Sequence, residues 1–312
     1  MLMLRALLPA VAALFLLGVG MRSANFEPPA WAYPEVQAPR IVAVKTLLTR
    51  VPVSARVPRV VTAGRAPDVQ ACSSCHLANG LGHPASSSLA GLSVEYFTME
   101  LANFRNGSRH ASRGETPMAT IARALTVEEA SAAAAYYANL PRLPWIAVIE
   151  ADMVPKTRLA ENGVRVPLQP AELEPIGQRI VEVPKFPARM SGPDPGSPFI
   201  AYVPTGSIRR GRAFVSTGGA VMRGAEVVVP GTSVACGTCH GVTLRGMAHA
   251  PDSDVPVPPI VGRSPTYIVR QLYDVHSGAR SAPSTTLMKP IAAQMTLQQM
   301  IDVAAYLASK QP

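Results

Sequence analysis

Two short stretches of the chain carry the same reactive side chains at the same spacing. Each holds two cysteines separated by two residues, with a histidine directly behind: Cys72, Cys75 and His76 in one, and Cys236, Cys239 and His240 in the other. Two thiols at this spacing can add to the two vinyl groups of one haem, and the histidine can bind its iron. The two motifs use all 4 cysteines of the chain. They predict two covalently bound haem c groups, with the thiols as anchors and the histidines as iron ligands.

Two other uses of paired cysteines fit less well. A shared zinc site usually places its two cysteine pairs about 15–20 residues apart, whereas Cys72 and Cys236 lie in different halves of the chain. A thioredoxin-like dithiol needs one CxxC within a βαβ unit, and the surrounding sequence does not predict such a unit. Covalent haem is therefore the favoured interpretation.

An internal repeat indicates the second ligand of each iron. The positions that coincide in the two halves are Tyr96 and Tyr267, Gly107 and Gly278, Arg109 and Arg280, and Met118 and Met288. Competing ligands do not recur, since His110 aligns with Ser281 and His276 with Arg105, while His83 and His249 are expected in exposed loops. Met118 and Met288 are thus the expected sixth ligands. Histidine with methionine raises the reduction potential of iron and leaves no open position for a substrate.

The elements that must position these residues are mainly helices. Ser93 is expected to cap a helix that runs to about Asn106, and Ser264 with Pro265 opens its counterpart up to Gly278. Thr126 with Glu129, and Thr296 with Gln299, make capping boxes before the last helix of each half. Residues 208–216 predict an opening helix in the second half. The first half lacks a clear one, and the preceding segment is expected to take its place.

The chain divides by composition into five segments. They are a signal peptide or membrane anchor at 1–22, a basic Pro/Val-rich arm at 23–65, a first domain at 66–142, a Pro-rich irregular linker without chemistry at 143–204, and a second domain at 205–312. The apolar run from Ala6 to Met21 predicts export, and it leaves open whether residues 1–22 are cleaved or stay as a tether to the inner membrane. The expected location is the periplasm.

The charge balance limits the partners. Lys and Arg number 29 against 20 Asp and Glu, a formal charge of +9. No basic helix, finger pattern or interleaving of aromatic and basic residues points to nucleic acid. A basic exported chain instead favours partners with acidic docking surfaces.

The order of these features resembles class I cytochrome c. CxxCH is followed by a helix that opens near a tyrosine and ends in Gly-x-Arg, then by the methionine, then by a last helix with Ala-Tyr. The tandem form is similar to cytochrome c4, and the resemblance covers 66–142 and 205–312. It implies that the opening and last helices cross through a glycine and aromatics, which Gly211, Phe214 and Tyr306 match. It also implies that a proline carbonyl holds the ligating histidine. Pro259 fits, whereas Ser88 stands there in the first half.

The resulting expectation is a dihaem electron-transfer protein of two mainly α domains that is not itself an enzyme. Its partners would be a dehydrogenase, an oxidase, a reaction centre or a soluble cytochrome, and the arm and linker favour a subunit of a larger redox complex. The alternative is a dihaem peroxidase or thiosulfate-oxidising enzyme. Either would need an iron without a methionine ligand or with an unusual one such as cysteine, and no fifth cysteine exists.

Overall fold

A computed structural model describes residues 57–160, 163–186, 197–223, 226–229 and 231–312. The predicted signal or anchor at 1–22 lies outside these residues, as does most of the arm. Within the described ranges, no helix has both the length and the apolar character needed to cross a membrane.

Helices make up both halves of the repeat. They are α1 (Arg59–Thr62), α2 (Ser73–His76), α3 (Val94–Arg105), α4 (Pro117–Ala124), α5 (Val127–Ala138), α6 (Ser207–Thr217), α7 (Gly237–His240), α8 (Pro265–His276), α9 (Lys289–Ala293) and α10 (Leu297–Ala308).

The predicted caps are confirmed. Ser93 accepts a hydrogen bond from the N–H of Tyr96, and Ser264 accepts one from the N–H of Tyr267. Both capping boxes form at the start of α5 and α10. These side chains satisfy N–H groups that a helix leaves unpaired at its first turn, so local sequence fixes where the long helices begin.

The prediction of an irregular linker at 143–204 is wrong. This segment contains β1 (Ile146–Glu150), β2 (Met153–Pro155), β3 (Thr157–Leu159), β4 (Arg165–Pro167), β5 (Leu173–Pro175), β6 (Val181–Pro184) and β7 (Phe199–Val203). Strand β7 lies between β1, to which it is parallel, and β6, to which it is antiparallel. The pairs β2–β5 and β3–β4 are antiparallel. A further pair, β8 (Val221–Arg223) and β9 (Glu226–Val229), lies in the second half.

This strand segment contributes side chains to the cores of both halves. Trp145 and Phe199 pack in the core of the first half, and Val203 packs in that of the second. The indole N–H of Trp145 donates to the carbonyl of Gly82 at 2.9 Å, in the loop that follows the first CxxCH motif. The segment is therefore part of the folded body and not a connection laid over its surface.

The first half also begins earlier than predicted. Helix α1 comes from the end of the basic arm, and its Val60 and Val61 are buried in the same core as α5. The boundary at residue 66 is therefore too late, because these apolar side chains need the core. The arm supplies the opening helix that the first half lacks.

In the second half, α6 crosses α10 at a glycine. A side chain at Gly211 would overlap the backbone carbonyl of Asp302, so only hydrogen fits at this crossing. Arg210 pairs with the Asp302 carboxylate at 2.8 Å beside it. The crossing through Gly211, with Phe214 buried and Tyr306 packed against the same core, agrees with the expectation from the sequence.

The two halves dock through equivalent segments. Arg109 and Arg280 face each other in an antiparallel bridge. The N–H of His110 donates to the carbonyl of Ala279 at 2.9 Å, and the N–H of Ser281 donates to that of Ser108 at 2.8 Å. Because each half supplies the same loop, the contact has approximate two-fold symmetry.

Candidate functional site

Each CxxCH motif forms one turn of helix at the edge of a cavity. In α2 the N–H of His76 donates to the carbonyl of Cys72 at 2.9 Å, and in α7 the N–H of His240 donates to that of Cys236 at 2.9 Å. The residue after each histidine has a positive φ, 64° at Leu77 and 77° at Gly241, which ends the turn. The two motifs therefore have the same local geometry.

Backbone carbonyls orient both histidines. Nδ1 of His76 lies 2.8 Å from the carbonyl oxygen of Ser87, and Nδ1 of His240 lies 2.9 Å from that of Pro258. Since a carbonyl only accepts, Nδ1 carries the proton and donates, which leaves Nε2 as the nitrogen with a lone pair for iron. The expectation that Pro259 supplies this carbonyl is wrong by one residue. Serine in the first half costs nothing, because any residue provides a carbonyl.

Burial favours the neutral forms of both motif histidines and of the first cysteine in each motif. It lowers the pKa of both His76 and His240, so that their imidazoles are unprotonated, the form that binds metal. Burial raises the pKa of the Cys72 thiol to about 12 and that of Cys236 to about 11. Thiol–disulfide exchange requires a thiolate, so these thiols are poorly suited to a thioredoxin-like role.

Met118 and Met288 occupy equivalent positions in the two halves, and both face the same cavity. Met118 lies in the first turn of α4, and Met288 directly precedes α9. Both are half-buried, and both line the cavity together with the two histidines and four cysteines. The structure therefore brings together all eight residues that the sequence singled out.

The cavity suits a large apolar group. Its volume is about 1250 Å³, beyond the about 300–1,000 Å³ usual for one ligand pocket. Leu92, Phe97, Ile260, Ile268 and Val303 contribute to a mostly apolar wall. Thiols, neutral imidazoles, thioethers and this wall are the complement of haem, which would supply one-electron iron chemistry when bound.

The structure places the other histidines in different environments. The expectation that His83 is exposed is wrong: it is 6% exposed, and burial lowers its pKa to about 3. The first-half loop is buried because the strand segment covers it, which the repeat alone could not reveal. His249 is exposed as expected. Nδ1 of His276 is 2.9 Å from the carbonyl of Ala292.

Sequence reasoning missed a set of polar residues at the contact between the halves. Glu100 and Gln271 occupy equivalent positions on α3 and α8, and both line the cavity with the two bridging arginines. The recurrence of Arg109 and Arg280 after a glycine was the available signal. It indicated a repeated position but not its partner across the interface.

Comparison with known proteins gives a consistent result. The family model described as Cytochrome c matches residues 221–311. A protein of Thiomonas intermedia named "Thiosulfate dehydrogenase electron acceptor" is 26% identical over 247 residues, covering 78% of this chain and 80% of the relative. Among solved structures, cytochrome c4 of Acidithiobacillus ferrooxidans is 25% identical, with a TM-score of 0.46 over 77% of this chain and 98% of that one.

A smaller relative is matched over most of its own length. Cytochrome c-554(548) of Halomonas halodenitrificans is 30% identical over 77 residues, which are 24% of this chain and 84% of the relative. Together with the family model and the CxxCH geometry, this match confirms the resemblance found in the sequence. The chain belongs to the cytochrome c family.

Proposed function

We propose that the chain is a dihaem electron carrier, with one haem c in each half. Cys72 and Cys75 would anchor the first haem, and His76 and Met118 would bind its iron. The second haem would use the equivalent set, which is Cys236, Cys239, His240 and Met288. The two haems would supply one-electron iron chemistry when bound, so that the chain could accept electrons from a donor and deliver them to an acceptor.

The observation that carries this proposal is the single cavity lined by both sets of ligands. Covalent anchors and ligands from the two halves border one continuous space. The residues that would hold the two haems therefore line the same space as Arg109 and Arg280, the residues of the contact between the halves. A histidine and a methionine available to each iron would suit electron exchange rather than substrate turnover.

The electron donor is proposed to be a dehydrogenase. Support comes from the relative named as an electron acceptor of thiosulfate dehydrogenase, which this chain matches over 80% of its length. Thiosulfate is the first substrate to test. We place this exchange in the periplasm, in line with the apolar run at Ala6 to Met21, and assign the acceptor to a second redox protein.

A direct experiment tests the donor. The purified holoprotein is mixed with thiosulfate and a separately purified thiosulfate dehydrogenase, and its reduced absorption bands are followed in time. Rapid reduction that requires both the dehydrogenase and thiosulfate is expected. Reduction by thiosulfate alone would instead make the chain an enzyme.

The enzyme alternative has its own test. A peroxidase needs an iron position that peroxide can reach, and such an iron lacks the weak far-red absorption band that accompanies methionine ligation. We expect that band from both haems and negligible peroxide turnover. Loss of the band from one haem, together with rapid turnover, would contradict the carrier function.

A further inference from the structure

Six buried or half-buried polar residues form one cluster where the two halves meet. This arginine–glutamate centre consists of three residues from each half: Tyr96, Glu100 and Arg109, with their equivalents Tyr267, Gln271 and Arg280. Every one of them lines the cavity between the two CxxCH motifs.

Each arginine of the centre reaches into the opposite half. Arg280 Nη2 donates to the hydroxyl of Tyr96 at 3.0 Å and to Glu100 Oε1 at 2.6 Å. Arg109 Nη2 donates to Gln271 Oε1 at 2.9 Å and to the hydroxyl of Tyr267 at 3.4 Å. The two sets of hydrogen bonds are related by the symmetry of the repeat.

The symmetry fails at one pair of positions. Glu100 in the first half corresponds to Gln271 in the second, so two arginines share a single carboxylate. Arg109 and Arg280 both form ion pairs with Glu100. Two positive charges and one negative charge leave the centre with a surplus of one positive charge.

The charged side chains of the centre have little contact with solvent. Glu100 is 5% exposed and Arg109 is 9% exposed, and the side chain of Arg280 is 12% exposed. A change of one charge unit at Glu100 or Gln271 therefore acts strongly on its surroundings, because little solvent screens it.

The field of the centre falls on the haem cavity. Reduction adds an electron to the iron, so a fixed positive charge nearby favours the reduced form and raises the reduction potential. Since the centre lies between the halves and receives residues from both, its charge acts on the sites of both.

We infer that the arginine–glutamate centre sets the reduction potentials of both haems together, and that Glu100, as its one acid, limits the surplus positive charge to one. This inference rests on the proposed dihaem function. It assigns Glu100 and Gln271 as tuning residues that act through charge, at a distance from the iron ligands.

Opposite changes at the two equivalent positions test the inference in the full-length holoprotein. Glu100→Gln adds a positive charge to the centre, and Gln271→Glu removes one. In spectroelectrochemical titrations, Glu100→Gln is expected to shift both midpoint potentials upward, and Gln271→Glu to shift both downward. The exposed changes Glu128→Gln and Gln311→Glu alter the total charge equally and are expected to leave the potentials unchanged, since water and salt screen them.

A conservative variant separates charge from structure. Glu100→Asp keeps the carboxylate while shortening the side chain, so its potentials should stay near those of the wild type. If Glu100→Asp shifts them as far as Glu100→Gln, or if Gln271→Glu leaves both in place, the inference is wrong.

Haem content distinguishes this failure from failure of the proposed function. Two haems per chain with unshifted potentials in the variants would overturn only the tuning role. Fewer than two haems per wild-type chain would overturn the dihaem function itself. If Glu100→Gln does not fold, Gln271→Glu with its exposed control decides the question alone.

Discussion

Met118 and Met288, the proposed sixth ligands, are the residues on which the proposed electron-transfer chemistry depends most. Replacing either with alanine should lower the potential of one haem by on the order of 0.1 V and leave the other nearly unchanged, because a thioether stabilises ferrous iron. Each variant should also lose about half of the far-red methionine band. Redox titration and absorption spectra of the two variants measure this.

Replacement of the core residue Met295, which has no equivalent methionine in the first half, is the control. A shift of both potentials by either variant would contradict the assignment of one ligand to each haem.

Glu182 connects the strand segment to the second half through a buried carboxyl group. Its Oε1 accepts hydrogen bonds from the N–H of Thr266 at 2.7 Å and the hydroxyl of Ser264 at 2.8 Å, at the start of α8. Its Oε2 has no hydrogen-bond partner within the part of the chain that the structure describes. Burial raises the pKa of Glu182, so the folded protein binds this proton more tightly than the unfolded chain does.

This raised pKa has a definite consequence for stability. The folded state binds the proton more tightly than the unfolded one, so the contribution of Glu182 is largest below the unfolded pKa of about 4.3 and is lost as pH rises through the folded value. Glu182→Gln keeps an acceptor for Thr266 and cannot ionise. Relative to the wild type, we expect it to gain on the order of 1 kcal/mol in free energy of unfolding as pH rises above about 4.3.

Denaturant unfolding of the holoprotein across that pH range measures the effect. The exposed Glu95→Gln serves as the control for simple loss of a carboxylate. A difference between Glu182→Gln and the wild type that stays constant with pH would show that the buried carboxyl does not titrate as inferred.

At the scale of elements, the crossing of α6 and α10 supports the second haem site. Gly211→Ala places a methyl group against the carbonyl of Asp302, and the two helices must separate to accept it. We expect a loss of about 2–4 kcal/mol in the free energy of unfolding, typical of overpacking at a backbone contact. Arg212→Ala, at an exposed position of the same helix, should change it by less than about 0.5 kcal/mol. Alanine has the better helix propensity, so a gain in stability from Gly211→Ala, or a loss no larger than that of Arg212→Ala, would contradict the crowding at the crossing.

The elements also show where sequence information ends. The starts of the long helices can be predicted from the sequence because a cap acts within four residues of the chain. The capping residues are Ser93, Thr126, Ser264 and Thr296. Strands such as β2, β4 and β5 contain three residues each and end in proline, which is too short for alternation to be visible. Their pairing depends on contacts between distant segments, so a proline-rich sequence predicts a linker where the molecule has strands.

In the candidate site, too, local sequence predicts some features, whereas others depend on contacts between distant segments. CxxCH spacing and the repeat are enough to select all eight proposed haem residues, because attachment chemistry fixes the spacing and duplication marks the methionines. Burial of His83 and the exchange of arginines across the interface depend on how the halves dock. A single pair of aligned residues, Glu100 and Gln271, becomes informative only after that docking is known.

At the scale of the molecule, the strand segment makes the two halves unequal. In the loop after the first motif, Gly82 accepts a hydrogen bond from Trp145, and Ala78, two residues after His76, is buried. Val242, two residues after His240, is 97% exposed. The repeat thus supplies two similar sets of proposed haem residues, and the inserted strands give them different surroundings. Two sites with different surroundings need not share one potential, which suits a carrier that passes electrons in one direction.

The proposed dihaem function requires that each half carries a haem that accepts and releases electrons. Coulometric titration of the purified full-length holoprotein, followed in the visible absorption bands, tests it most directly. We expect each chain to take up two electrons in two one-electron steps, with methionine-ligated spectra before and after. Uptake of a single electron per chain would contradict it.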